Sequence, residues 1–388
     1  MSALSRAISV SDYRAAARRR LPKIFFEYID GGANDEVTLR RNVEDMARLS
    51  LRQRVMRDMS SLDTVIHSLG QRFSMPVGLA PVGMAGMYAR RGEVQAARAA
   101  AEAGIPFSLS TVGICSVEEV ASNASPPWFQ LYVLKDRGYM RELVGRAKAA
   151  GCPVLVLTVD LPMPGTRYRD VRSGFHKLTG YSALANRFWD GVTHPGWVGD
   201  VWLRGRPHTL GCVAGALLDA GGSGSAGDFH AWIANNFDRS VTWSDLDWIR
   251  AEWDRPIVVK GILDPEDARD AVKAGAQGVV VSNHGGRQLD GVCSSISALP
   301  RIVEAVGNDL EVFLDGGVRS GLDVLKALAL GAKACFIGRP WAYALGAGGG
   351  TAVAKLLGTI RAELEVAMVL TGCDSLSKAG RELIDREI

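Results

Sequence analysis

The chain has 388 residues, of which 47% are hydrophobic and 22% are charged, and its formal net charge is +3. This composition is typical of a globular protein with a large core, and so small a net charge argues against a nucleic-acid-binding function. The 6 cysteines include no Cys-x-x-Cys pair, which favours reduced thiols in a cytoplasmic protein over a disulfide framework.

The predicted elements begin with an amphipathic helix at residues 11–21 and continue as short apolar runs that end in glycine or a polar residue. Eight such runs predict buried strands at residues 76–81, 106–110, 128–133, 154–160, 257–260, 278–282, 311–315 and 334–338. Helical patterns lie between them, as at residues 92–103 and 136–150. Alternating strands and helices imply an α/β protein with a parallel sheet. Eight units predict a (β/α)8 TIM barrel, with an open doubly wound sheet as the alternative.

The barrel is predicted to span residues 76–340 of a single functional domain that covers residues 1–388. An N-terminal helical segment at residues 1–75 precedes it, and C-terminal helices at residues 341–388 follow it. Far more chain separates the fourth and fifth strands than any other neighbours, which predicts an insertion at residues 165–241. Loops of this length inside a compact domain are usually functional or mobile.

The insertion mixes tryptophan with arginine, a composition that suits either the water–lipid boundary of a membrane or a lid or subunit interface. The residues are Trp189, Trp197, Trp202 and Trp232, with Arg167, Arg169, Arg172, Arg187, Arg204 and Arg206.

Gly222–Gly227 matches G-x-G-x-x-G, but no strand precedes it, so it predicts a flexible linker rather than a nicotinamide site. The chain shows no apolar signal core and no run of about 18 apolar residues, so no spanning helix is predicted.

The segment Ser282–Gly291 directly follows the sixth predicted strand and presents His284 and Arg287 together. An imidazole accepts a proton near neutral pH, and a guanidinium can bind a carboxylate through two parallel hydrogen bonds. Oxidation of a 2-hydroxy acid needs both a base and a carboxylate-binding group. The alternative is a polar turn whose histidine is structural.

The other predicted strands also end in polar residues, and in a barrel these ends converge on one face. They are Gln130 and Tyr132 on strand 3, Thr158 and Asp160 on strand 4 with Arg167 beyond it, Lys260 on strand 5, Asp315–Arg319 after strand 7, and Gly338 and Arg339 after strand 8. The glycines and arginines after strands 7 and 8 predict a phosphate site for a phosphorylated cofactor. Each residue alone could close a turn or end a strand, but together they favour an active site.

These segments resemble the FMN-dependent 2-hydroxy-acid dehydrogenase/oxidase family. The motifs that carry the resemblance are Ser282–Gly291, Thr158–Asp160 and Asp315–Arg319. The resemblance covers almost the whole chain, and it implies a (β/α)8 barrel with bound FMN. Within the family the chain is most similar to bacterial respiratory L-lactate dehydrogenases. That narrower similarity rests on Ala80–Met84, Tyr88–Ala97 and Lys260–Ala268.

The resemblance also implies a role for each matching residue. His284 would take a proton from the substrate and Asp160 would stabilise the imidazolium, whether C2 loses a proton or a hydride. The substrate carboxylate would be held by Arg287 and Arg167, with the hydroxyls of Tyr28 and Tyr132. FMN would be bound by Ala80, Val82, Gly83, Ser110, Gln130, Thr158, Lys260, Ser282, Asp315, Gly317, Arg319, Gly338 and Arg339. Gly83 and Val112 would set the size of the substrate pocket.

The function that the resemblance implies is oxidation of L-lactate to pyruvate, with electrons passed to a membrane quinone. The protein would be a homotetramer in the cytoplasm, peripheral on the inner face of the cell membrane. One alternative has the same reaction with a different substrate or electron acceptor. The protein would then be a dehydrogenase for (S)-mandelate or another 2-hydroxy acid, or an oxidase that uses oxygen. The alternative from a different class is a non-redox phosphate-binding barrel that also binds flavin.

Overall fold

The structure is a computed structural model that describes residues 6–175, 189–215 and 236–386. Trp232, Arg187 and the glycine-rich segment Gly222–Gly227 lie outside the described residues. The helices are α1 (Val10–Arg20), α2 (Lys23–Asp30), α3 (Val37–Arg48), α4 (Gly92–Glu102), α5 (Val117–Asn123), α6 (Arg137–Ala149), α7 (Tyr168–Arg172), α8 (Pro195–Trp197), α9 (Asp245–Glu252), α10 (Pro265–Lys273), α11 (Ser295–Val306), α12 (Gly321–Ala329) and α13 (Arg339–Thr371). A π-helical segment, Val198–Leu203, continues α8.

Eight parallel strands form a nearly closed barrel in which each strand pairs with its neighbours in chain order. The strands of the described residues are β1 (Ser50–Leu51), β2 (Ile66–Ser68), β3 (Gln71–Phe73), β4 (Val77–Leu79), β5 (Ser108–Ser110), β6 (Trp128–Tyr132), β7 (Leu155–Thr158), β8 (Ile257–Ile262), β9 (Gly278–Val281), β10 (Glu311–Asp315), β11 (Ala334–Ile337) and β12 (Ile384–Arg386). The barrel runs from β4 to β11, and a bridge between Leu79 and Phe107 joins its first two strands. The predicted (β/α)8 barrel is therefore confirmed, and all eight predicted strands are present within a few residues of their predicted bounds.

Helices occupy the N-terminal segment only as far as Arg48, so the prediction of a helical segment at residues 1–75 is too broad. The antiparallel strands β2 and β3 follow, and they bury Ile66 and Phe73. The ring of Phe73 packs on Trp128 with centroids 6.3 Å apart, at the end of the barrel where the strands begin. A hairpin is favoured here because its alternation places apolar side chains on one face, over the aromatic bottom of the barrel.

The C-terminal region is one helix followed by turns and a strand, rather than helices throughout residues 341–388. The backbone of α13 leaves helical geometry at Gly348 and Gly349, where the helix kinks. Strand β12 then pairs with β1 in antiparallel fashion, so the end of the chain returns to the N-terminal segment. None of the helices in the described ranges combines the length and hydrophobicity needed to cross a bilayer.

The described part of the insertion contacts the N-terminal helices and the segment that follows β4. The indole of Trp197 is buried, donates a hydrogen bond to the carbonyl of Met87 at 2.8 Å and packs on Phe25 with centroids 5.3 Å apart. Arg20 and Asp200 form an ion pair of 3.0 Å. Near the two ends of the insertion, Arg167 and Phe237 line the cavity described below.

Candidate active site

A cavity of about 1250 Å³, including its open mouth, lies at the carboxyl ends of the barrel strands. The predicted site residues that line it are Tyr28, Ala80, Val82, Gly83, Tyr132, Arg167, Lys260, His284, Arg287, Asp315, Gly317, Arg319, Gly338 and Arg339. Of the others, Thr158, Ser282 and Asp160 pair with or bond to Tyr132, Lys260 and His284 of this set. Gln130 lies two residues before Tyr132 on β6, and Ser110 of the neighbouring strand bonds to it. The fold thus brings together every site residue that the sequence predicts.

His284 and Asp160 form a hydrogen-bonded pair, with Nδ1 of the imidazole 3.0 Å from Oδ1 of the carboxylate. Burial lowers the pKa of His284 and outweighs the opposing effect of Asp160. Burial alone would raise the pKa of Asp160, but His284 holds it below its usual value. The carboxylate is therefore ionised and accepts a hydrogen bond from the Nδ1–H group, which leaves Nε2 of a neutral imidazole as the hydrogen-bond acceptor.

Gly261 is required for this pair, and its role cannot be read from the sequence. Its φ is 111°, a backbone conformation that residues with a side chain rarely adopt. The register between β8 and β9 shifts at this position. A Cβ atom at this position would lie 2.6 Å from both Cβ and Cγ of Asp160. Glycine therefore lets the backbone of β8 approach Asp160 closely enough for the carboxylate to face His284.

Replacing Gly261 with Ala should displace Asp160 and slow reduction of the flavin by substrate on the order of 100-fold, because a misplacement of about 1 Å can cost that much. The rate of anaerobic flavin bleaching and the ratio of FMN to protein would both be measured. Gly358→Ala is the control, since a Cβ there meets nothing within 4 Å. Bleaching of the Gly261→Ala protein at the parental rate would refute the packing argument.

Two arginines approach the ring of Tyr28, which lies in α2. The guanidinium of Arg287 lies 4.8 Å from the ring centroid and that of Arg167 lies 6.0 Å from it. Arg287 Nη1 donates to the carbonyls of Tyr28 and Gly31 at 2.6 and 2.9 Å, and Arg167 Nε donates to the carbonyl of Arg287 at 3.2 Å. Burial, together with the charge of Arg287, lowers the pKa of Arg167. An anionic ligand would relieve the repulsion between the two cations.

Tyr132 contributes a hydroxyl group to the same side of the cavity, at the end of β6. Burial raises the pKa of Tyr132, with further contributions from Tyr28 and Asp160. The hydroxyl of Tyr132 therefore stays protonated at neutral pH and can donate a hydrogen bond to an anion. Its ring packs on Phe237 with centroids 5.2 Å apart.

Lys260 is a buried cation at the centre of the site. Its Nζ lies 2.9 Å from Oδ2 of Asp315 and donates to Oγ of Ser282 at 2.9 Å. Burial alone would lower the pKa of Lys260, but the charges of Asp315 and Asp160 raise it above its usual value. The ammonium group is therefore retained and can offset negative charge that develops nearby.

The residues after β10 and β11 suit a phosphate group. Arg339 donates to the carbonyls of Ile29, Gly285 and Gly31, and burial lowers the pKa of Arg339 to about 9. Burial likewise lowers the pKa of Arg319, whose Nη1 donates to the carbonyl of Val318. In the described residues these guanidinium hydrogen bonds go to carbonyls rather than carboxylates. A phosphate at the N-terminus of α13 would supply the missing anion.

The floor of the cavity suits a heteroaromatic ring with several polar atoms. The buried polar atoms without a hydrogen-bond partner among the described residues include Nε2 of Gln130, Oγ1 of Thr158 and Oδ1 of Asp315. Ser110 Oγ lies 3.1 Å from the other amide atom of Gln130, Oε1, which orients the amide. Buried polar atoms are costly when unpaired, so these side chains fit the ring and ribityl chain of FMN.

Several cavity residues are not predicted by the sequence patterns, and Asp170 and Phe237 are two of them. Asp170 lies one helical turn after Arg167, with 3.6 Å between Oδ2 and Nη1, and this i,i+3 spacing could have signalled the pair. Phe237 comes from the returning end of the insertion, and no pattern around it indicates a site. Both belong to the insertion, Asp170 near its start and Phe237 near its end.

A base beside a carboxylate, two cations for an anion and a phosphate pocket on a (β/α)8 barrel indicate an enzyme that takes an anionic substrate and a phosphorylated cofactor. Comparison with known proteins makes the assignment specific. A family described as FMN-dependent dehydrogenase matches residues 17–386. The chain belongs to this FMN-dependent dehydrogenase family, so it is an FMN-dependent 2-hydroxy-acid dehydrogenase or oxidase.

Solved structures of mandelate enzymes are similar along nearly the whole chain. The monotopic membrane protein (S)-mandelate dehydrogenase is 35% identical with a TM-score of 0.92, and the match covers 98% of this chain and 100% of that one. A mandelate oxidase with (S)-4-hydroxymandelic acid is 40% identical with a TM-score of 0.83, and the match covers 98% of both chains. The predicted family, fold and cofactor are confirmed, whereas the predicted specificity for L-lactate is not.

Proposed function

We propose that the protein oxidises an (S)-2-hydroxy acid with a large apolar 2-substituent, of the mandelate type, to the 2-oxo acid. The observation that carries this proposal is the absence of a side chain at Gly83 in a largely apolar part of the cavity. A Cβ atom at Gly83 would lie 2.7 Å from Cγ2 of Val112 and 3.5 Å from the hydroxyl of Tyr28, so a side chain here would push Val112, which lines the cavity, toward the substrate space. Leu161 and Phe237 add apolar surface. The similarity to mandelate enzymes supports the same substrate class.

L-Lactate is the second candidate, because the segments Ala80–Met84, Tyr88–Ala97 and Lys260–Ala268 resemble L-lactate dehydrogenases. Both substrates carry the same carboxylate and hydroxyl groups, so the charged residues of the site serve either one. The site can distinguish the two substrates only by the space that the cavity leaves for the 2-substituent. A phenyl ring removes far more apolar surface from water than a methyl group, and its burial favours binding in a cavity that is large enough.

In this proposal the chain's residues bind the acid and move one proton. Arg287 and Arg167 bind the carboxylate, with hydrogen bonds from Tyr28 and Tyr132. Nε2 of His284 accepts the proton, and Asp160 stabilises the imidazolium that results. When bound, FMN would supply the oxidant that takes the two electrons and the second proton that the substrate loses. It would be held by Gln130, Thr158, Ser110 and Ser282 near the ring, by Lys260 and Asp315, by Ala80, Val82, Gly83, Gly317 and Gly338 along its length, and by Arg319 and Arg339 at the phosphate.

Anaerobic mixing of the purified FMN protein with (S)-mandelate, (R)-mandelate, L-lactate and D-lactate tests the proposal through bleaching of the flavin. We expect (S)-mandelate to bleach the flavin fastest, with a higher kcat/KM than L-lactate. Faster reduction by L-lactate would establish the second candidate. If no 2-hydroxy acid bleaches the flavin, the assignment of the cavity as their site is wrong.

The rate of flavin reduction should fall at acid pH through an ionisation below the usual histidine value of 6.5, because burial lowers the pKa of His284 and the base must be unprotonated. The charge of Asp160 raises the pKa of His284 and so opposes the effect of burial. In Asp160→Asn the acidic limb of the pH–rate profile should therefore move to lower pH. The plateau rate should fall about 10- to 100-fold with the loss of a charge-assisted hydrogen bond. An acidic limb that moves to higher pH in this variant would contradict the assigned pair.

We also propose that the electrons pass to a quinone at the membrane surface, to which the insertion binds. Its described part exposes large apolar side chains, namely Trp189 (62% exposed), Val192 (54%), Trp202 (44%) and Leu203 (60%). Arg204 and Arg206 are exposed next to them. Indole rings and basic residues together suit the boundary of an anionic membrane. The buried indole of Trp197 supports this surface from beneath, and the similar (S)-mandelate dehydrogenase is a monotopic membrane protein.

Flotation of the protein with vesicles of phosphatidylglycerol and phosphatidylethanolamine measures this binding. The combined change Trp202→Ser and Leu203→Ser should abolish flotation and leave flavin reduction by substrate unchanged. Val366→Ser is the control, because Val366 is 55% exposed on α13, away from the insertion. Flotation of the double variant at the parental level would exclude this surface, and rapid reoxidation of the flavin by air would favour an oxidase. The homotetramer and the location on the inner face of the membrane stay predictions.

A further inference from the structure

The returning end of the insertion docks on the barrel next to the substrate side of the cavity. Residues 236–238 run antiparallel to the residues that follow β6, with a bridge between Leu134 and Phe237. Lys135 N donates to the carbonyl of Asn236 at 2.8 Å, and the flanking bond from Asp238 N is longer, at 3.4 Å. This pairing brings Phe237 beside Tyr132, the last residue of β6.

Phe237 forms part of the cavity wall in this position. It is 3% exposed, lines the cavity, and packs its ring on that of Tyr132 with centroids 5.2 Å apart. A short, isolated bridge is a weak support for such a wall, since a single pair of strands is marginally stable in water. Something further must hold the segment in place.

Arg137, the first residue of α6, supplies that support through two carboxylates. Its Nη2 lies 2.7 Å from Oδ2 of Asp238 and 2.9 Å from Oδ1 of Asp245, and its Nε also donates to Asp245 at 3.1 Å. Its Nη1 donates to the carbonyl of Leu134. One guanidinium thus joins the end of β6, the residue after Phe237 and the start of α9. The three charged side chains are only 25%, 13% and 15% exposed, so solvent screens them less than a surface pair.

We propose that Arg137, Asp238 and Asp245 form a latch that sets substrate selectivity by holding Phe237 against Tyr132. Arg137 is a positioning residue, because it acts through Phe237 and does not line the cavity. The proposal rests on the proposed function, in which this cavity binds the 2-hydroxy acid. Phe237 then forms a fixed wall for the 2-substituent of the substrate.

Loss of the guanidinium would leave two partly buried carboxylates close together without their shared cation. Their repulsion would loosen the segment between Phe237 and α9. A large 2-substituent that packs on Phe237 would lose this wall, whereas a methyl group depends on it less. Of the groups that bind the carboxylate and accept the proton, Arg287 and His284 lie on a different loop. Tyr132 does pack on Phe237, but its backbone is fixed in β6 by pairing with Thr158 of β7. Loss of the Arg137 guanidinium is therefore expected to change the selectivity between large and small 2-substituents rather than to lower the activity toward all substrates equally.

The test compares Arg137→Met with the parent enzyme in its FMN-bound form. We expect the ratio of kcat/KM for (S)-mandelate over L-lactate to fall about tenfold, in the range that one hydrophobic contact contributes to discrimination. The ratio of the dissociation constants of the product analogues benzoylformate and pyruvate, measured from the flavin spectrum, should shift in the same sense. Phe237→Ala should reproduce both changes, and Arg137→Lys, which keeps the charge, should restore part of the parental ratio.

Arg141→Met is the matched control. Arg141 lies one turn further along α6, is 51% exposed and pairs with Glu252 at 3.4 Å. An unchanged ratio in Arg137→Met, or an equal loss for both substrates and both product analogues, would overturn the proposal. Should Arg137→Met fail to fold, Asp238→Asn and Phe237→Ala decide by the same ratios. A parent enzyme that no 2-hydroxy acid reduces would instead refute the proposed function.

Discussion

Replacing His284 with Gln is expected to abolish reduction of the flavin by substrate while FMN stays bound. Glutamine can still donate a hydrogen bond to Asp160, but its amide cannot accept a proton near neutral pH. General base catalysis typically contributes about 10²- to 10⁴-fold, so the residual rate should be at least that much lower. FMN should be retained, because the groups that fit its ring and phosphate, such as Gln130 and Arg339, do not depend on His284.

Anaerobic stopped-flow absorbance of the flavin measures the rate, and the ratio of flavin to protein absorbance measures FMN content. His67→Gln is the control, because His67 is exposed in the hairpin of β2 and β3 at the opposite end of the barrel. A His284→Gln protein that reduces its flavin at the parental rate would exclude His284 as the base. A protein that loses FMN would instead show that His284 has a structural part in the site.

Replacing Arg287 with Lys should weaken substrate binding and slow flavin reduction, each on the order of 100-fold. Lysine keeps the positive charge but loses the planar fork that can bind both oxygens of a carboxylate. The change also removes the hydrogen bonds of 2.6 and 2.9 Å to the carbonyls of Tyr28 and Gly31. Tyr28 would then lose part of its support, so kcat should fall together with the rise in KM.

Steady-state kinetics and titration with the 2-oxo acid product separate the two effects. Arg40→Lys is the control, because Arg40 is exposed and its guanidinium donates to the carbonyl of Asp35 at 2.8 Å. If Arg287→Lys binds the product as tightly as the parent does, the carboxylate is held elsewhere. Arg167 would then be the remaining candidate, since its guanidinium also approaches Tyr28.

The local patterns of the chain are sufficient to predict the barrel. Apolar, β-branched runs such as Gly278–Val281 form buried strands because a parallel barrel covers both of their faces. The polar residues that follow them must then meet at one end of the barrel. This is why the amino-acid sequence alone assigns His284, Lys260 and Arg339 to one site, and all three line the same cavity.

Other features depend on contacts between residues far apart in the chain, and no local pattern indicates them. The hairpin of β2 and β3 forms because its apolar face covers the aromatic bottom of the barrel, in a segment whose sequence predicts helix. Gly261 matters only because Asp160, which follows the neighbouring strand, lies against its Cα. Phe237 lines the cavity although it comes from the returning insertion, where its neighbour Asp238 pairs with Arg137 and Phe237 itself bridges to Leu134.

The barrel, the cofactor and the chemical groups of the site are thus properties that the amino-acid sequence specifies directly. Repeating apolar runs and short motifs are local, and they define strands, helices and reactive side chains without reference to distant residues. How closely those side chains approach, and how much space they leave, depends on tertiary packing. The shape of the cavity follows from contacts among Gly83, Val112, Tyr132 and Phe237, which come from separate segments. That packing governs substrate size, so the choice between mandelate and lactate rests on the folded cavity and not on any motif.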